Sequence, residues 1–262
     1  MDVMRFFALF FILLLSGCGA SAAGEAPPAR SSKPAASVAA PAVSPSAAPE
    51  TAPGPLDGMV ICLDPGHGVT DAVAQEALSP LSDKAKPAYV SGASGAQITE
   101  EALNLQVALR LRDKLESMGA SVILTREASE ATVSNIERAR IANDAGADCC
   151  IRIHADGVDD PSVHGVSVLI PSGPLLGTPS IAEPSAALGQ RMADAVAAQT
   201  GAKNRGVTAR QDLTGFNWSE VPCVLLEMGF LTNAAEEANL IDPAYQDSIV
   251  LGVAQAVAQW RG

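Results

Sequence analysis

The segment CCIRIHADG, residues 149–157, has the pattern that is most informative about the fold of this chain. It is an apolar run, interrupted by Arg152, that ends on a histidine followed by small and acidic residues. Two similar runs occur, VICLDPGHG (60–68) and PCVLLEMGF (222–230), which carry His67 and Glu227. The chain has only three histidines, and two of them, His67 and His154, follow or end such a run. This repetition predicts that several strands deliver polar side chains to one place.

Strand-like and helix-like segments alternate along the chain. We expect strands over 59–64, 121–126, 149–155, 165–170 and 223–229, a long loop to about residue 97, and helices over 99–118, 134–146, 185–201 and 245–260. Near-continuous apolar strands separated by amphipathic helices indicate an α/β fold, here a single domain with a twisted, largely parallel sheet covered by helices on both faces. Ligands of such sheets bind outside the carboxyl ends of the strands, so His67, His154 and Glu227 are expected at one rim.

Two neutral imidazoles and one carboxylate are a common ligand set for catalytic zinc. A carboxylate for this set can come from TEEALNLQVALRLRDKLESMG (99–119), where Glu100 and Glu101 begin a helix. At about 100° per residue, Glu100 falls near the centre of an apolar stripe and Glu101 about 100° away on its flank; the stripe is formed by Leu103, Val107, Leu111 and Leu115. A buried carboxylate needs a partner, which a metal would supply. The alternative is that acidic residues at a helix start only interact favourably with the helix dipole. This is the natural interpretation of Glu101, whereas for Glu100 we favour a role as metal ligand.

The first residues, MDVMRFFALFFILLLSGC, are a targeting segment. The apolar run is shorter than the roughly 20 residues of a membrane span, and its end, LSGC (15–18), resembles the lipobox of bacterial lipoproteins. We therefore expect a signal peptide over residues 1–17 and a lipid on Cys18. The alternative is an ordinary signal peptide or an uncleaved anchor with an incidental cysteine. Both alternatives place the rest of the chain outside the cytoplasmic membrane.

Residues 18–55 are rich in Ala, Pro and Ser, which predicts a disordered tether that reaches on the order of 100 Å if extended. Residues 56–262 have about the length of one domain. The net charge of −12 without a basic patch excludes nucleic acid as an expected partner. The domain's cysteines lie in or beside apolar runs and are expected to be buried thiols rather than a disulfide framework: Cys62, Cys149, Cys150 and Cys223.

Taken in order, these segments resemble the catalytic domain of zinc-dependent N-acetylmuramoyl-L-alanine amidases, a bacterial cell-wall family with a phosphorylase/hydrolase-like fold. ICLDPGHG is similar to the family's first-histidine motif, and EEALNLQVALRLRDKLESMGASVILTR to its glutamate helix and following strand. RARIANDAGADCCIRIHAD resembles the second-histidine segment, and RGV with VPCVLLEMGFLTN the catalytic-glutamate segment. The resemblance implies that His67, Glu100 and His154 bind Zn²⁺, with Glu100 standing four residues before Asn104 as in the family.

The resemblance also implies that Glu227 is the general base in hydrolysis of the amide between N-acetylmuramic acid and L-alanine. The alternative for Glu227 is a structural carboxylate paired with a buried arginine. Arg205 and Arg210 could hold carboxylates of the stem peptide, or they could be surface charges on a connecting loop. His164 has no counterpart in the family and is expected to be an ordinary exposed histidine.

Two departures from the family concern the rim of the site. The loop over residues 69–98 is longer than usual, and Arg152 and Asp156 stand where a small polar residue and an asparagine are expected. The expected partners are peptidoglycan and, through the anchor, the membrane; we expect a monomer, and the need for an activator protein stays open. The alternative functions are a zinc peptidase that cuts another cell-wall bond and a non-catalytic peptidoglycan-binding lipoprotein.

Overall fold

Eight strands and six helices form the regular structure of residues 53–262, the part of the chain that the computed structural model describes. The strands are β1 (Val60–Pro65), β2 (Gln75–Ser79), β3 (Ser82–Pro87), β4 (Ser121–Leu124), β5 (Cys149–Asp156), β6 (Val166–Pro171), β7 (Asn204–Arg210) and β8 (Cys223–Phe230). The helices are α1 (Glu100–Ser117), α2 (Asn135–Asp144), α3 (Ala182–Thr200), α4 (Thr214–Asn217), α5 (Ala234–Leu240) and α6 (Pro243–Arg261).

Six of the strands form one sheet in the order β4-β1-β5-β8-β6-β7. Strands β4, β1, β5 and β8 run parallel, β6 is antiparallel to β8, and β7 is parallel to β6. The predicted α/β fold with a largely parallel sheet is therefore confirmed. Its carboxyl-end rim brings together the ends of β1, β5 and β8, the strands that precede or contain His67, His154 and Glu227.

The two faces of the sheet bury different cores. Helices α1, α3 and α6 cover one face with a large apolar cluster that includes Leu111, Met192 and Val253. The other face carries a smaller cluster to which α2 and α4 contribute Ala142 and Phe216. The sheet is thus covered by helices on both sides, as near-continuous apolar strands require.

The cysteines show how the strand registers order the second face. Cys150 pairs with Cys62 on β1 and with Cys223 on β8, so the three thiols form a row across the sheet. Cys149 points to the opposite face because neighbouring residues of a strand alternate sides, and it packs in the larger cluster. All four are buried free thiols, as expected. Since residues two apart share a face, Arg152 and His154 follow Cys150 on the same side.

Local sequence sets the ends of the helices. The Ser134 hydroxyl accepts a hydrogen bond from the Glu137 amide and starts α2. The Asp242 carboxylate accepts a hydrogen bond from the Ala244 amide and starts α6. Pro243 occupies the first helical position, where its missing N–H costs nothing. Helix α3 ends at Gly201, whose φ of 73° lies in the left-handed region that glycine adopts without strain.

A hairpin occupies part of the segment where a long loop was expected. Strands β2 and β3 pair antiparallel with each other only. Hydrogen bonds tie β2 to distant parts of the chain: Trp218 donates to the Ala77 carbonyl, Asn217 to the Leu78 carbonyl, and Ser79 donates to the Leu175 carbonyl. The expectation of an unstructured loop was wrong here because these contacts are tertiary, and β3 (SDKAKP) is largely exposed and lacks an apolar alternation.

Strand β7 also replaces an expected connecting loop. It lies at the edge of the sheet, pairs only with β6 and leaves most of its residues exposed or half-buried. An edge strand with little burial has no alternating apolar pattern, so its sequence, NRGVTAR, resembles a loop.

The predictions for residues 1–17 and for most of the tether lie outside the described residues. Within residues 53–262, no helix combines the length and the apolar character that crossing a membrane requires.

Candidate metal centre

His67 lies directly after β1 in an unusual backbone conformation. Its φ of 59° is left-handed, which costs a residue other than glycine roughly 1–2 kcal/mol. Its Nδ1 lies 2.7 Å from the Val90 carbonyl oxygen, and because a carbonyl can only accept, Nδ1 carries the proton. The other ring nitrogen, Nε2, faces an oxygen of Glu100 at 3.2 Å.

Glu100 is the first residue of α1 and only 4% exposed. Its Oε2 accepts a hydrogen bond of 2.7 Å from the Ala93 amide, and its Oε1 accepts from the Ala155 amide and the Asn104 side chain at 3.2 and 3.3 Å. Glu101 lies on the flank of the helix and is half-buried. Of the two adjacent acids, Glu100 is therefore the one whose side chain reaches the rim of the sheet, as the position of the apolar stripe predicts.

His154 lies in β5 and is 8% exposed. Its Nδ1 is 3.0 Å from Oε1 of Glu100, the same oxygen that faces His67. The two imidazole rings are 4.8 Å apart and nearly perpendicular. Gly66 makes room for this ring, because a Cβ at residue 66 would lie 2.2 Å from Cε1 of His154.

Three potential ligand atoms, one each from His67, Glu100 and His154, lie within 4.8 Å of one another. With its proton on Nδ1, a neutral His67 directs the lone pair of Nε2 at a carboxylate oxygen, which is repulsive without a cation between them. Nε2 of His154 is buried and has no hydrogen-bond partner among the residues described. Two imidazoles and one carboxylate that leave an open position are the donor set of catalytic zinc sites, so these residues fit such an ion.

The electrostatics of His154 and Glu100 agree with metal binding, whereas the pKa of His67 is raised, because contact with the Glu100 carboxylate outweighs the effect of burial. Burial lowers the pKa of His154 to about 4, so its imidazole is neutral at pH 7 and its lone pair is available. Burial alone would raise the pKa of Glu100, but the neighbouring His154 and His67 hold it well below its usual range. The centre therefore presents neutral His154 and an anionic carboxylate at neutral pH.

Glu227 lies beside this cluster on β8, where it pairs in register with His154. Its Oε2 is buried and has no hydrogen-bond partner within residues 53–262. Burial, with the nearby charges of Glu100 and Asp156, raises the pKa of Glu227 well above its usual range. The structural alternative for Glu227 requires a buried arginine as its partner. Arg152, two residues before His154, is buried but donates to Asp64 at 2.7 Å. Glu227 is thus a buried carboxylate whose proton affinity is raised by its surroundings.

A buried ionic layer lies behind the site and was missed from the sequence. Asp64 accepts hydrogen bonds from Arg138 and Thr125 at one oxygen and from Arg152 at the other. Arg126, two residues after the end of β4, is also buried, and its hydrogen bonds go to backbone carbonyls. The available signal was positional, since Asp64 ends the apolar run before His67 and Arg126 ends the predicted strand 121–126.

A small cavity and three further predicted residues, Arg205, Arg210 and His164, lie outside the ligand cluster. A cavity of about 40 Å³ opens beside both imidazoles and is lined in part by Tyr89, Asn135 and Arg152. Arg205 and Arg210 lie on β7: the Arg205 guanidinium stacks on the Phe230 ring at 5.1 Å, and Arg210 forms two hydrogen bonds to Asp212. His164 is exposed and is not part of the ligand cluster.

Known proteins share both the sequence and the fold. Residues 61–259 match the family described as N-acetylmuramoyl-L-alanine amidase. The amidase Rv3717 of Mycobacterium tuberculosis is 31% identical over 219 residues, which cover 79% of this chain and 89% of that protein. The amidase LytC of Bacillus subtilis is 31% identical over 193 residues, 74% of this chain, and the match spans 34% of LytC.

A solved structure gives the same result in three dimensions. The crystal structure of the amidase Ami1 from Mycobacterium smegmatis superposes with a TM-score of 0.72 at 27% identity, and the match covers 78% of this chain and 97% of Ami1. From the match over residues 61–259 and this structural similarity, it follows that the chain belongs to the N-acetylmuramoyl-L-alanine amidase family.

Proposed function

We propose that this chain is a zinc-dependent amidase that cleaves the amide bond between N-acetylmuramic acid and L-alanine in peptidoglycan and releases stem peptides from glycan strands. One observation carries the proposal: His67, Glu100 and His154 converge within 4.8 Å, with Glu227 on the neighbouring strand beside them. Family membership supports the reaction class, and the donor set supports zinc.

His67, Glu100 and His154 would hold the ion. Bound zinc supplies a Lewis acid that polarises the scissile carbonyl and lowers the pKa of water toward about 7. The roles of the protein's own groups follow from their settings. The Val90 carbonyl keeps His67 in the tautomer that directs Nε2 to the centre. The Ala93 amide holds Glu100 through its other oxygen.

Glu227 would transfer the proton. A carboxylate with a raised pKa and no fixed partner can accept a proton from the attacking water and return it to the leaving nitrogen. In the balanced reaction, the water oxygen bonds to the lactyl carbonyl carbon, the carbon–nitrogen bond breaks, and the L-alanine amine leaves with the proton. The products are a lactyl carboxylate on the glycan and a free stem peptide.

Arg205 and Arg210 would contact carboxylates of the stem peptide. Arg205 is exposed, and its stacking on Phe230 restricts the guanidinium without neutralising its charge. Arg210 forms an ion pair with Asp212, which partly neutralises its charge, so we expect Arg210 to contribute less to substrate binding than Arg205.

We further propose that the chain works outside the cytoplasmic membrane as a monomeric lipoprotein. Residues 1–17 would be removed as a signal peptide, Cys18 would carry the lipid, and residues 18–55 would tether the catalytic domain, residues 56–262, at a distance from the membrane. The test replaces Cys18 by serine and follows the protein by membrane fractionation. We expect the C18S protein to leave the membrane fraction or to keep its signal peptide; unchanged processing and membrane association would exclude the lipid anchor.

The decisive experiment measures metal and products on one preparation. The full chain, purified in detergent without chelator, is assayed for zinc per chain and then incubated with muropeptides whose products are identified by mass. We expect one zinc and release of peptides that begin with L-alanine, both abolished by His154→Ala and unaffected by His164→Ala.

Other results would point to the alternatives. A shortened stem peptide that stays on the glycan would identify a peptidase. Zinc without turnover would contradict an amidase that acts without an activator. A protein that binds no zinc after loading would contradict the metal centre itself.

A further inference from the structure

Three consecutive backbone carbonyls, those of Pro65, Gly66 and His67, accept hydrogen bonds from two buried arginines, Arg126 and Arg138. We call these two residues the arginine clamp. Arg126 donates from Nε to the Pro65 oxygen and from Nη2 to the Gly66 oxygen, both at 2.9 Å. Arg138 donates from Nη1 to the Pro65 oxygen at 2.9 Å and from Nη2 to the His67 oxygen at 2.6 Å.

Arg126 joins two of the segments that carry the proposed metal ligands. The Nη2 atom that binds the Gly66 carbonyl also donates to the Glu101 carbonyl at 2.7 Å. Gly66 precedes His67, and Glu101 follows Glu100. One guanidinium therefore sets the distance between the backbone of the first histidine and that of the glutamate.

The partners of Arg126 are unusual for a buried arginine. Arg126 is 4% exposed, and it forms no ion pair with a carboxylate in the described part of the chain. Burying an arginine without such a partner is costly, so ion pairing does not explain its presence. Its hydrogen bonds instead go to four carbonyls, two of which belong to the loop before His67.

Arg138 acts on the other side of the same loop, where the backbone is strained. It is anchored by Asp64 and donates to the carbonyl of His67, the residue with a left-handed backbone. A residue in that conformation persists only when its surroundings hold it there. The planar guanidinium has donors in a fixed fork, so it can hold two carbonyls at once.

We propose that Arg126 and Arg138 are positioning residues whose hydrogen bonds to the loop carbonyls set the affinity of the centre for zinc. This inference rests on the proposed zinc site. Groups that orient metal ligands from behind commonly change metal affinity by roughly 10- to 100-fold when they are replaced.

The test compares three conservative variants of the full chain. Arg126→Lys and Arg138→Lys keep the charge but cannot form the fork. Arg152→Lys is the matched control, because Arg152 is equally buried and pairs with Asp64 but is not hydrogen-bonded to the loop carbonyls. The zinc dissociation constant is measured by competition with a chromophoric chelator, and the unfolding midpoint of each zinc-free protein is measured separately by circular dichroism.

We expect the dissociation constant to rise roughly 10- to 100-fold in both clamp variants and to change little in Arg152→Lys. A purely structural role would lower the unfolding midpoint without changing the affinity of the folded protein, and that result would overturn the inference. An equal rise in all three variants would also overturn it. If Arg138→Lys does not fold, the inference is judged from Arg126→Lys alone, because that variant leaves the ion pairs of Asp64 intact. A wild-type chain that binds no zinc would remove the proposed function as well.

Discussion

The two carboxylates at the rim of the sheet, Glu100 and Glu227, have opposite electrostatic settings. Burial would raise both pKa values, but the two histidines hold Glu100 well below its usual range. Glu227 has no such partners, and burial with the nearby Glu100 charge raises its pKa. When two carboxylates have environments that separate their pKa values, one stays charged and the other exchanges protons. The structure thus supports a ligand role for Glu100 and a proton-transfer role for Glu227.

Replacing Glu227 by glutamine tests this division. The side chain keeps its size but cannot take up a proton, so we expect zinc content to be unchanged and turnover of muropeptides to fall roughly 100- to 10,000-fold. Glu220→Gln, an exposed change just before β8, is the control and should leave turnover unchanged. Unchanged turnover in Glu227→Gln would remove Glu227 from the mechanism.

Asp64 is the residue on which the buried ionic layer depends. Replacing it by asparagine leaves Arg138 and Arg152 buried without their counter-ion, and breaking a buried pair in this way costs about 3–5 kcal/mol. We expect urea unfolding at pH 7 to show a loss of this size. Asp212→Asn is the control: it removes a pair with a half-exposed aspartate, and exposed pairs contribute only about 0–1 kcal/mol. Similar losses in both variants would contradict the special role of Asp64.

The difference in unfolding free energy between wild type and Asp64→Asn should depend on pH in a defined direction. Burial alone would raise the pKa of Asp64, but Arg138 and Arg152 outweigh it and hold the pKa well below its usual range. Such a carboxylate stabilises the native state above its unfolded pKa, about 3.9, and loses that effect as the pH falls toward its native pKa. We therefore expect the difference in unfolding free energy between wild type and Asp64→Asn to be constant above about pH 5 and to shrink below about pH 4. A difference that grows on acidification would show that the carboxylate is not stabilised by the arginines.

At the scale of elements, the segment after the hairpin supports the centre directly. The Val90 carbonyl accepts from His67, and the Ala93 amide donates to Glu100. Gly92 lies so close to both ligands that a Cβ there would be 2.8 Å from Cβ of Glu100 and 3.0 Å from Cδ2 of His67. The segment that follows β3 thus places its backbone against two of the three proposed ligands.

The packing of α3 against α6 depends on a glycine. A Cβ at Gly252 would lie 2.6 Å from the Cα of Val196 on the facing helix. Helix propensity alone predicts that Gly252→Ala stabilises by about 1 kcal/mol. Because the clash is with backbone, we instead expect destabilisation of about 1–3 kcal/mol, measured by urea unfolding. Leu251→Ala, an exposed change one residue away, should stay within about 0.5 kcal/mol of wild type. A more stable Gly252→Ala protein would show that the helices separate easily.

At the scale of the whole molecule, the centre joins parts of the chain that are distant in sequence. His67 follows β1, Glu100 begins α1 and His154 lies in β5, so an ion bound by all three links these elements in the native state only. A ligand that binds only the native state stabilises it by about 2.7 kcal/mol when its free concentration is 100 times the dissociation constant.

Metal removal should therefore destabilise the fold. For a domain of this size we expect a chelator to lower the thermal midpoint by about 5–10 °C and added zinc to restore it. His154→Ala is the control and should show no zinc-dependent shift. A midpoint in the wild type that is indifferent to both chelator and zinc would contradict native-state zinc binding.

Five of the six strands of the main sheet, the larger helices and the family could be predicted from the sequence alone. Apolar strand runs and helical stripes are local patterns, and a polar residue at the end of such a run marks the rim, which is why His67, His154 and Glu227 could be selected. Helical geometry likewise separated Glu100 from Glu101. The predictions for the signal peptide, for Cys18 and for the tether rest on the same kind of local pattern.

Four features could not be predicted because they depend on tertiary contacts: the hairpin, edge strand β7, the left-handed backbone of His67 and the arginine clamp. Each is held by hydrogen bonds to backbone groups far away in sequence, as when Arg126 donates to the carbonyl of Gly66. Every residue has a backbone carbonyl, so an acceptor of this kind leaves no trace in the order of side chains. The position of Arg126 at the end of an apolar run indicates burial, but its hydrogen-bond partners are known only from the fold.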